Sequence, residues 1–268
     1  MNRRSVAAVF LALVLCLAWA GAGTEPEKKE EKRDDKNRIT EIRYLGADGE
    51  LCLNQEGYAR VTMAYTSFGA LRRLSYFGTG KKRVLVPSLD YAAIECDYRG
   101  KTLTGRRYLD AEGKPAESFL GYAAMIQKVN KKNQVLGISY QHADGSPAVC
   151  PEGWSSCEIR RDKSGRETAI RYLDAAGNPV TLAEGYAREE ISYPKESEKR
   201  IRRFDAAGNA VAFETGVYTL VQQLREGRVV RETFLGADGA PTVNGGGASA
   251  LVYAYDQDGN ITDMTEER

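Results

Sequence analysis

From Ile39 onward the chain repeats itself every 31 to 33 residues. Glycines at the end of a short Asp-Ala-x-Gly-like element fall at Gly49, Gly80, Gly113, Gly145, Gly177, Gly208 and Gly239. A second column keeps the same period a few residues later, at Gly57, Asp90, Gly121, Gly153, Gly185, Gly216 and Gly247. Two independent columns with one period mean one supersecondary unit copied about seven times, each copy burying its apolar face against its neighbours. The nonapeptides RYLDAEGKP (107–115) and RYLDAAGNP (171–179) are two such copies, two periods apart.

Tyrosine follows the same register, with 13 of the 15 in three columns. Tyr44, Tyr76, Tyr108, Tyr140 and Tyr172 precede the glycine element; Tyr58, Tyr91, Tyr122 and Tyr186 follow the second column; Tyr65, Tyr98, Tyr193 and Tyr255 lie eight residues past it. Between the columns the pattern alternates. Ala59, Val61, Met63 and Tyr65 take every second place in one unit, and Ala92, Ile94, Cys96 and Tyr98 in the next. Period two predicts a strand with one apolar face. Turn signals such as Ser164-Gly165 and Asp258-Gly259 then lead into a second strand, so each unit is a β-hairpin. The fold class expected is all-β, about seven tandem hairpins and 14 strands, in an elongated antiparallel meander or a β-solenoid. A propeller needs about four strands per blade, more than these units can supply.

The Asp-Ala-x-Gly-x-Pro element has a mechanical explanation. Asp110 and Asp174 accept backbone N–H groups further along the turn, Gly113 and Gly177 supply positive φ, and Pro115 and Pro179 stop the ladder. Calcium loops are the competing reading, but a hard cation wants six to eight oxygens and each turn offers one dependable carboxylate.

On these residues a resemblance can be stated. Tyr255-Asp256-Gln257-Asp258-Gly259-Asn260 resembles the core of the YD (RHS-type) repeat. YLDAEGKP with a later Gly-Tyr resembles the hairpin repeats of bacterial cell-wall-binding and clostridial toxin receptor-binding domains. The unit is longer than the cell-wall-binding repeat of about twenty residues and lacks its paired tryptophans, so choline or glucan recognition does not carry over. The resemblance implies an exported, non-catalytic β-repeat protein.

The first residues point the same way. Arg3 and Arg4 precede the apolar run Val6 to Ala20, and small residues follow, which reads as a signal peptide over 1–22. An uncleaved anchor and a lipoprotein acylated at Cys16 are the other readings of this run, and Leu15 disfavours the second. Residues 23–38 mix acids and bases with almost no apolar residue and are expected to be a charged disordered linker, leaving 39–268 as the repeat domain. The chain carries 38 Lys and Arg against 37 Asp and Glu, a balance that offers no net field for nucleic acid. No second apolar stretch follows the first, so no membrane insertion is expected once the signal is cut.

Catalytic constellations are scarce. His142 is the single histidine and falls in a turn column, which leaves Ser-His-Asp and Cys-His systems without a base and rules out a multi-histidine metal site. No catalytic residue, metal or cofactor is assigned, and an enzyme is not expected. Export favours disulfides, and Cys150 and Cys157 bracket a loop short enough to close, while a Cys52–Cys96 bridge would link neighbouring units and its pairing is left open. The candidate ligand-binding residues are Tyr58, Tyr91, Tyr122, Trp154 and Tyr186, each just after the second column at spacings of 31 to 33. Strand alternation carried back to them turns the row away from Val61, Ile94, Met125 and Cys157, toward Arg60, Glu95, Lys128, Glu158 and Arg188. An exposed aromatic row suits sugar rings or extended peptides. The bland alternative, which repeat columns favour, is that the rings pack over the neighbouring turns.

The function expected is a binding scaffold for a glycan or protein at the cell surface, secreted or held in the periplasm or envelope. The alternatives are a purely structural envelope spacer and, lower, a small outer-membrane β-barrel, which the strand length of about eight residues and the arginine-rich second strands disfavour. Self-association into a homo-oligomer is compatible with either.

Overall fold

The computed structural model describes residues 26–268, so the expected signal peptide and the first residues of the linker lie outside the described part. The regular elements there are all strands. The described residues divide into two compact units: 26–95 with Tyr108–Lys114, and Cys96–Arg107 with Pro115–Arg268.

The first unit holds β1 (Lys28–Arg33), β2 (Ile39–Leu45), β3 (Arg60–Tyr65) and β4 (Leu71–Phe77). The division between the units falls within β5 (Ala93–Arg99) and β6 (Thr102–Leu109). Pairing is antiparallel and follows chain order from β1 to β5. The charged segment expected to be disordered is instead β1, paired with β2 from Lys28–Leu45 to Arg33–Ile39. Its charge order explains why. In a strand residues i and i+2 share a face, and KKEEKR puts unlike charges there: Lys28 with Glu30 at 2.6 Å, Lys29 with Glu31 at 3.0 Å, and Arg33 with Glu31 at 2.7 Å. Sequence composition registers the absence of apolar residues but not that order.

The second unit continues with β7 (Ala124–Val129), β8 (Val135–Gln141), β9 (Ser156–Arg161), β10 (Glu167–Leu173), β11 (Arg188–Lys195) and β12 (Glu198–Phe204). The two-residue β13 (Ala210–Val211) is followed by β14 (Thr219–Arg225) and β15 (Arg228–Leu235), and the two-residue β16 (Pro241–Thr242) by β17 (Ala250–Tyr255) and β18 (Ile261–Glu267). Each long strand pairs with the next, while β13 and β16 lie against the ends of β12 and β15. In neither unit does the ladder close on itself. The seven expected hairpins are present; β1–β2 adds an eighth, and the two short strands bring the total among the described residues to 18 instead of 14.

One turn grammar serves both ends of the hairpins. After β10, the Asp174 N–H donates to the Asn178 carbonyl at 2.8 Å and the Gly177 N–H donates back to the Asp174 carbonyl at 3.1 Å. At the β9–β10 tip, Asp162, Gly165 and Arg166 make the same pair of bonds at 2.9 Å each. The fourth turn residue has positive φ: 84° at Gly177, and 60° and 61° where Asn37 and Asn133 replace the glycine. Asparagine tolerates this region because its short polar side chain bonds locally.

Alternation then places the core. On β9 Cys157 and Ile159 are buried between exposed Glu158 and Arg160, and the register carries the buried row to Ile170 and Tyr172 on β10. Further along the second unit Ile191, Ile201, Val217, Leu220 and Phe234 form an aliphatic cluster with Tyr193, Phe213 and Leu251 against it.

Candidate functional site

The five candidate aromatics do not line an exposed face. Tyr91, Tyr122, Trp154 and Tyr186 are 6–7 % exposed, and Tyr58 is half-buried. In the first unit the rings of Tyr44, Tyr58, Tyr76, Tyr91 and Tyr108 follow one another at centroid distances of 5.7, 4.8, 6.2 and 4.8 Å. In the second unit Tyr122, Tyr140, Trp154, Tyr172 and Tyr186 do the same at 4.5, 5.0, 5.5 and 5.9 Å. Each stack interleaves two sequence columns, one ring from a strand end and the next from the turn that follows. The rings are tilted or edge-on, the arrangement that the aromatic quadrupole favours. Burial pushes the Tyr58 and Tyr172 hydroxyls well above the ordinary tyrosine range.

The orientation expected from alternation fails for a local reason. Each candidate ring sits on the residue that closes the second turn, two places before the strand begins. The Trp154 carbonyl accepts the Cys150 N–H at 2.9 Å and the Tyr186 carbonyl accepts that of Leu182 at 2.8 Å, while β9 starts at Ser156 and β11 at Arg188. A turn does not preserve the two-residue period, so the strand's parity cannot be carried back through it. The second unit's stack ends on Arg203, whose guanidinium lies 4.0 Å from the Tyr186 centroid and 2.9 Å from the Glu189 carboxylate. Arg203 stands where the preceding units place Tyr172 and Tyr140.

No disulfide joins Cys150 and Cys157. The reason is placement: the Cys150 backbone opens the turn that Trp154 closes, while Cys157 is in the ladder opposite Ile138 and Tyr172. Both thiols are buried, and burial pushes Cys157 up to about 11 and Cys150 up to about 12.

His142 lies in a turn, as its column implied, with Nδ1 3.2 Å from the Glu117 carboxylate, which also accepts the Ala143 N–H at 2.8 Å. The turn aspartates are engaged with their own backbone: Asp174 Oδ1 accepts the N–H groups of Ala176 and Asn178 at 2.9 and 2.8 Å. These bonds, that of Asn178 first, hold its carboxyl below the usual range. Among the described residues no three His, Cys, Asp or Glu side chains converge as a metal site would require.

What the second unit presents to solvent is the other face of its strands. On β9 to β12 that face carries Glu158 and Arg160, Arg171, Arg188 and Glu190, then Arg200 and Arg202, set by the pairs Glu158–Arg171, Arg171–Arg188 and Glu190–Arg202. Phe204, on the same face, is covered by guanidinium groups: Arg188 at 4.7 Å and Arg202 at 5.1 Å from its centroid. The first unit repeats the device, with Arg60 at 4.4 Å over Phe77. Strand alternation in the sequence assigns Glu158 and Arg188 to this face, and Arg171 and Arg202 join them in the structure, their alternation with Ile170 and Ile201 being the signal that places them there.

No protein-family model matches the chain, and no curated protein matches it. Solved structures do show similarity. A crystal structure of TcdB2-TccC3-Cdc42 is 11 % identical with a TM-score of 0.39, over 90 % of this chain and 12 % of that one. A crystal structure of TcdB2-TccC3 is 12 % identical with a TM-score of 0.32, over 86 % and 12 %. The Photorhabdus luminescens Tc holotoxin pore is 13 % identical with a TM-score of 0.26, over 90 % and 13 %. The chain therefore spans about an eighth of the length of the chains it matches.

Proposed function

We propose that the chain is an exported, non-enzymatic repeat scaffold that binds a glycan or protein of the envelope or extracellular space. The observation behind this reading is how the residues are used. Stacked rings, turn aspartates and buried thiols are consumed by the architecture, and the side chains that packing leaves over are those of the outer strand face. A strand face that repeats a polar pattern suits an extended partner with a repeat of its own. A structural spacer is the second reading, favoured by outer-face charges that pair internally, such as Arg73 with Glu95 at 3.1 Å and Arg200 with Glu198 at 2.6 Å.

The deciding experiment presents residues 23–268 to a panel of purified cell-wall and matrix polysaccharides and to purified envelope proteins. Saturable binding to one of them supports the scaffold. A folded protein that binds none of them supports the spacer.

A further inference from the structure

The whole-chain charge balance hides a local segregation. On the outer face of β9 to β12 stand five arginines, of which Arg188 pairs with Glu190 at 3.2 Å and Arg200 with Glu198 at 2.6 Å. Arg160, Arg171 and Arg202 have no carboxylate within 4.0 Å among the described residues. Glu190, which the register sets beside Arg202, turns to Arg188 instead. Arg171 and Arg188 are directly opposed in the β10–β11 ladder, an arrangement of like charges that costs stability and that a sheet built only to be stable would avoid. Two of the guanidinium groups are also held in place. Arg188 and Arg202 stack on the Phe204 ring, and the Arg188 Nε is buried there without a hydrogen-bond partner.

A chain laid across these strands, which lie about 4.8 Å apart, meets guanidinium groups in two neighbouring rows: Arg171 and Arg188 directly opposed in one, and Arg160 and Arg202 three strands apart in the other, with Ala169 and Glu190 between them. Guanidinium groups take carboxylates by paired N–H donors, and stacking on an aromatic ring lowers the ordering cost of doing so. Glu158 stands in one of these rows and Glu190 in the other, so the charge density stays well below what a nucleic-acid backbone calls for. A polymer of acidic sugars with one carboxylate per unit can meet the separated guanidinium groups and leave its remaining acid groups in water.

We propose that the outer face of β9 to β12 binds an extended, carboxylate-bearing polysaccharide, with Arg160, Arg171 and Arg202 taking its acid groups. This rests on the scaffold reading and gives it a ligand class.

The test uses residues 23–268 and polygalacturonate as the probe, with fully methyl-esterified polygalacturonate as the neutral control and polyglutamate as an acidic polypeptide. Binding to polygalacturonate is expected to weaken with added salt, since exposed charges are screened. The triple change Arg160→Gln, Arg171→Gln, Arg202→Gln is expected to weaken it by about tenfold or more, the loss of three charge-assisted contacts. Changing Lys131, Lys132 and Lys163 to Gln, on the hairpin tips, is expected to leave it within about twofold, because those charges lie off the face. Should the triple variant not fold, Arg160→Gln and Arg202→Gln singly, both at exposed positions, are each expected to weaken binding by about threefold.

The proposal is overturned if the arginine variants bind as the parent does, if the tip variants lose as much, or if polyglutamate binds as tightly as polygalacturonate. Equal binding of the methyl ester overturns the charge assignment and leaves the scaffold reading standing. A protein that binds no member of the wider polysaccharide and protein panel overturns both.

Discussion

The Tyr65 hydroxyl donates to the backbone carbonyl of Ile39 at 2.8 Å, across 26 residues of sequence, and so ties the tip of one hairpin to the tip of the hairpin before it. The Arg38 guanidinium lies 4.7 Å from the same ring centroid. In the second unit Tyr255 repeats the bond to Val229 at 2.7 Å with Arg228 beside its ring at 5.7 Å. Where that unit lacks the tyrosine, Arg161 takes its place and donates Nε–H to the Val135 carbonyl at 2.9 Å, again across 26 residues. Tyr65 and Tyr255 of the third tyrosine column thus staple consecutive tips through their hydroxyls, whereas Tyr193 is engaged through its ring, with Arg166 4.2 Å from its centroid.

Tyr65→Phe, which keeps the ring and removes the donor, is expected to cost about 1 kcal/mol. Urea unfolding measures the loss. Amide exchange is expected to accelerate at Ile39 and its neighbours more than elsewhere, and an unchanged exchange rate there would refute the staple.

The ring stack of the second unit makes Trp154 a sensitive position. Trp154→Ala is expected to destabilise by about 3 to 5 kcal/mol, as removal of a buried aromatic does. Trp154→Tyr, the residue found in this column at 122 and 186, is expected to cost under about 1.5 kcal/mol. Chemical unfolding followed by circular dichroism separates the two. Equal, small losses would place the indole on the surface.

At the turns, Gly177→Ala forces a Cβ into φ of 84° and is expected to cost about 1 to 2 kcal/mol. The added Cβ meets nothing within 4 Å, so the cost is backbone strain and not a clash. Gly177→Asn is expected to be tolerated better, because Asn37 and Asn133 already hold the equivalent position. Thermal unfolding of the two variants gives the order, and the reverse order would refute the strain account.

The buried thiols set an alkaline limit. Burial holds the Cys157 proton up to about 11 and the Cys150 proton up to about 12, above the ordinary value of 9.0. The folded state therefore binds these protons more tightly than the unfolded chain. The stabilisation is whole below about pH 9 and is lost as pH rises through 11 to 12, where deprotonation favours unfolding. Urea midpoints measured from pH 8 upward are expected to fall across that window, and to fall less in a Cys150→Ala, Cys157→Ala variant compared with its own value at pH 8. Non-reducing peptide mapping is expected to recover both cysteines as thiols, alkylated only as fast as the chain opens.

Much of the architecture is legible in the residues because it is local. A turn that needs positive φ writes glycine or asparagine at a fixed place, a strand writes period two, and copies of both at 31 to 33 residues announce a hairpin array. Tertiary structure decided what lies between those local signals. Whether Tyr122 and Trp154 face solvent depends on how the chain passes through a turn, where the strand's parity is lost. Whether Lys28–Arg33 is linker or strand depends on a partner, β2, that composition does not mention. Cys150 and Cys157 lie seven residues apart yet serve a turn and a ladder. Arg160, Arg171 and Arg202 become one surface only once β9, β10 and β12 are brought side by side, because electrostatic neighbourhood is a property of register and not of sequence separation.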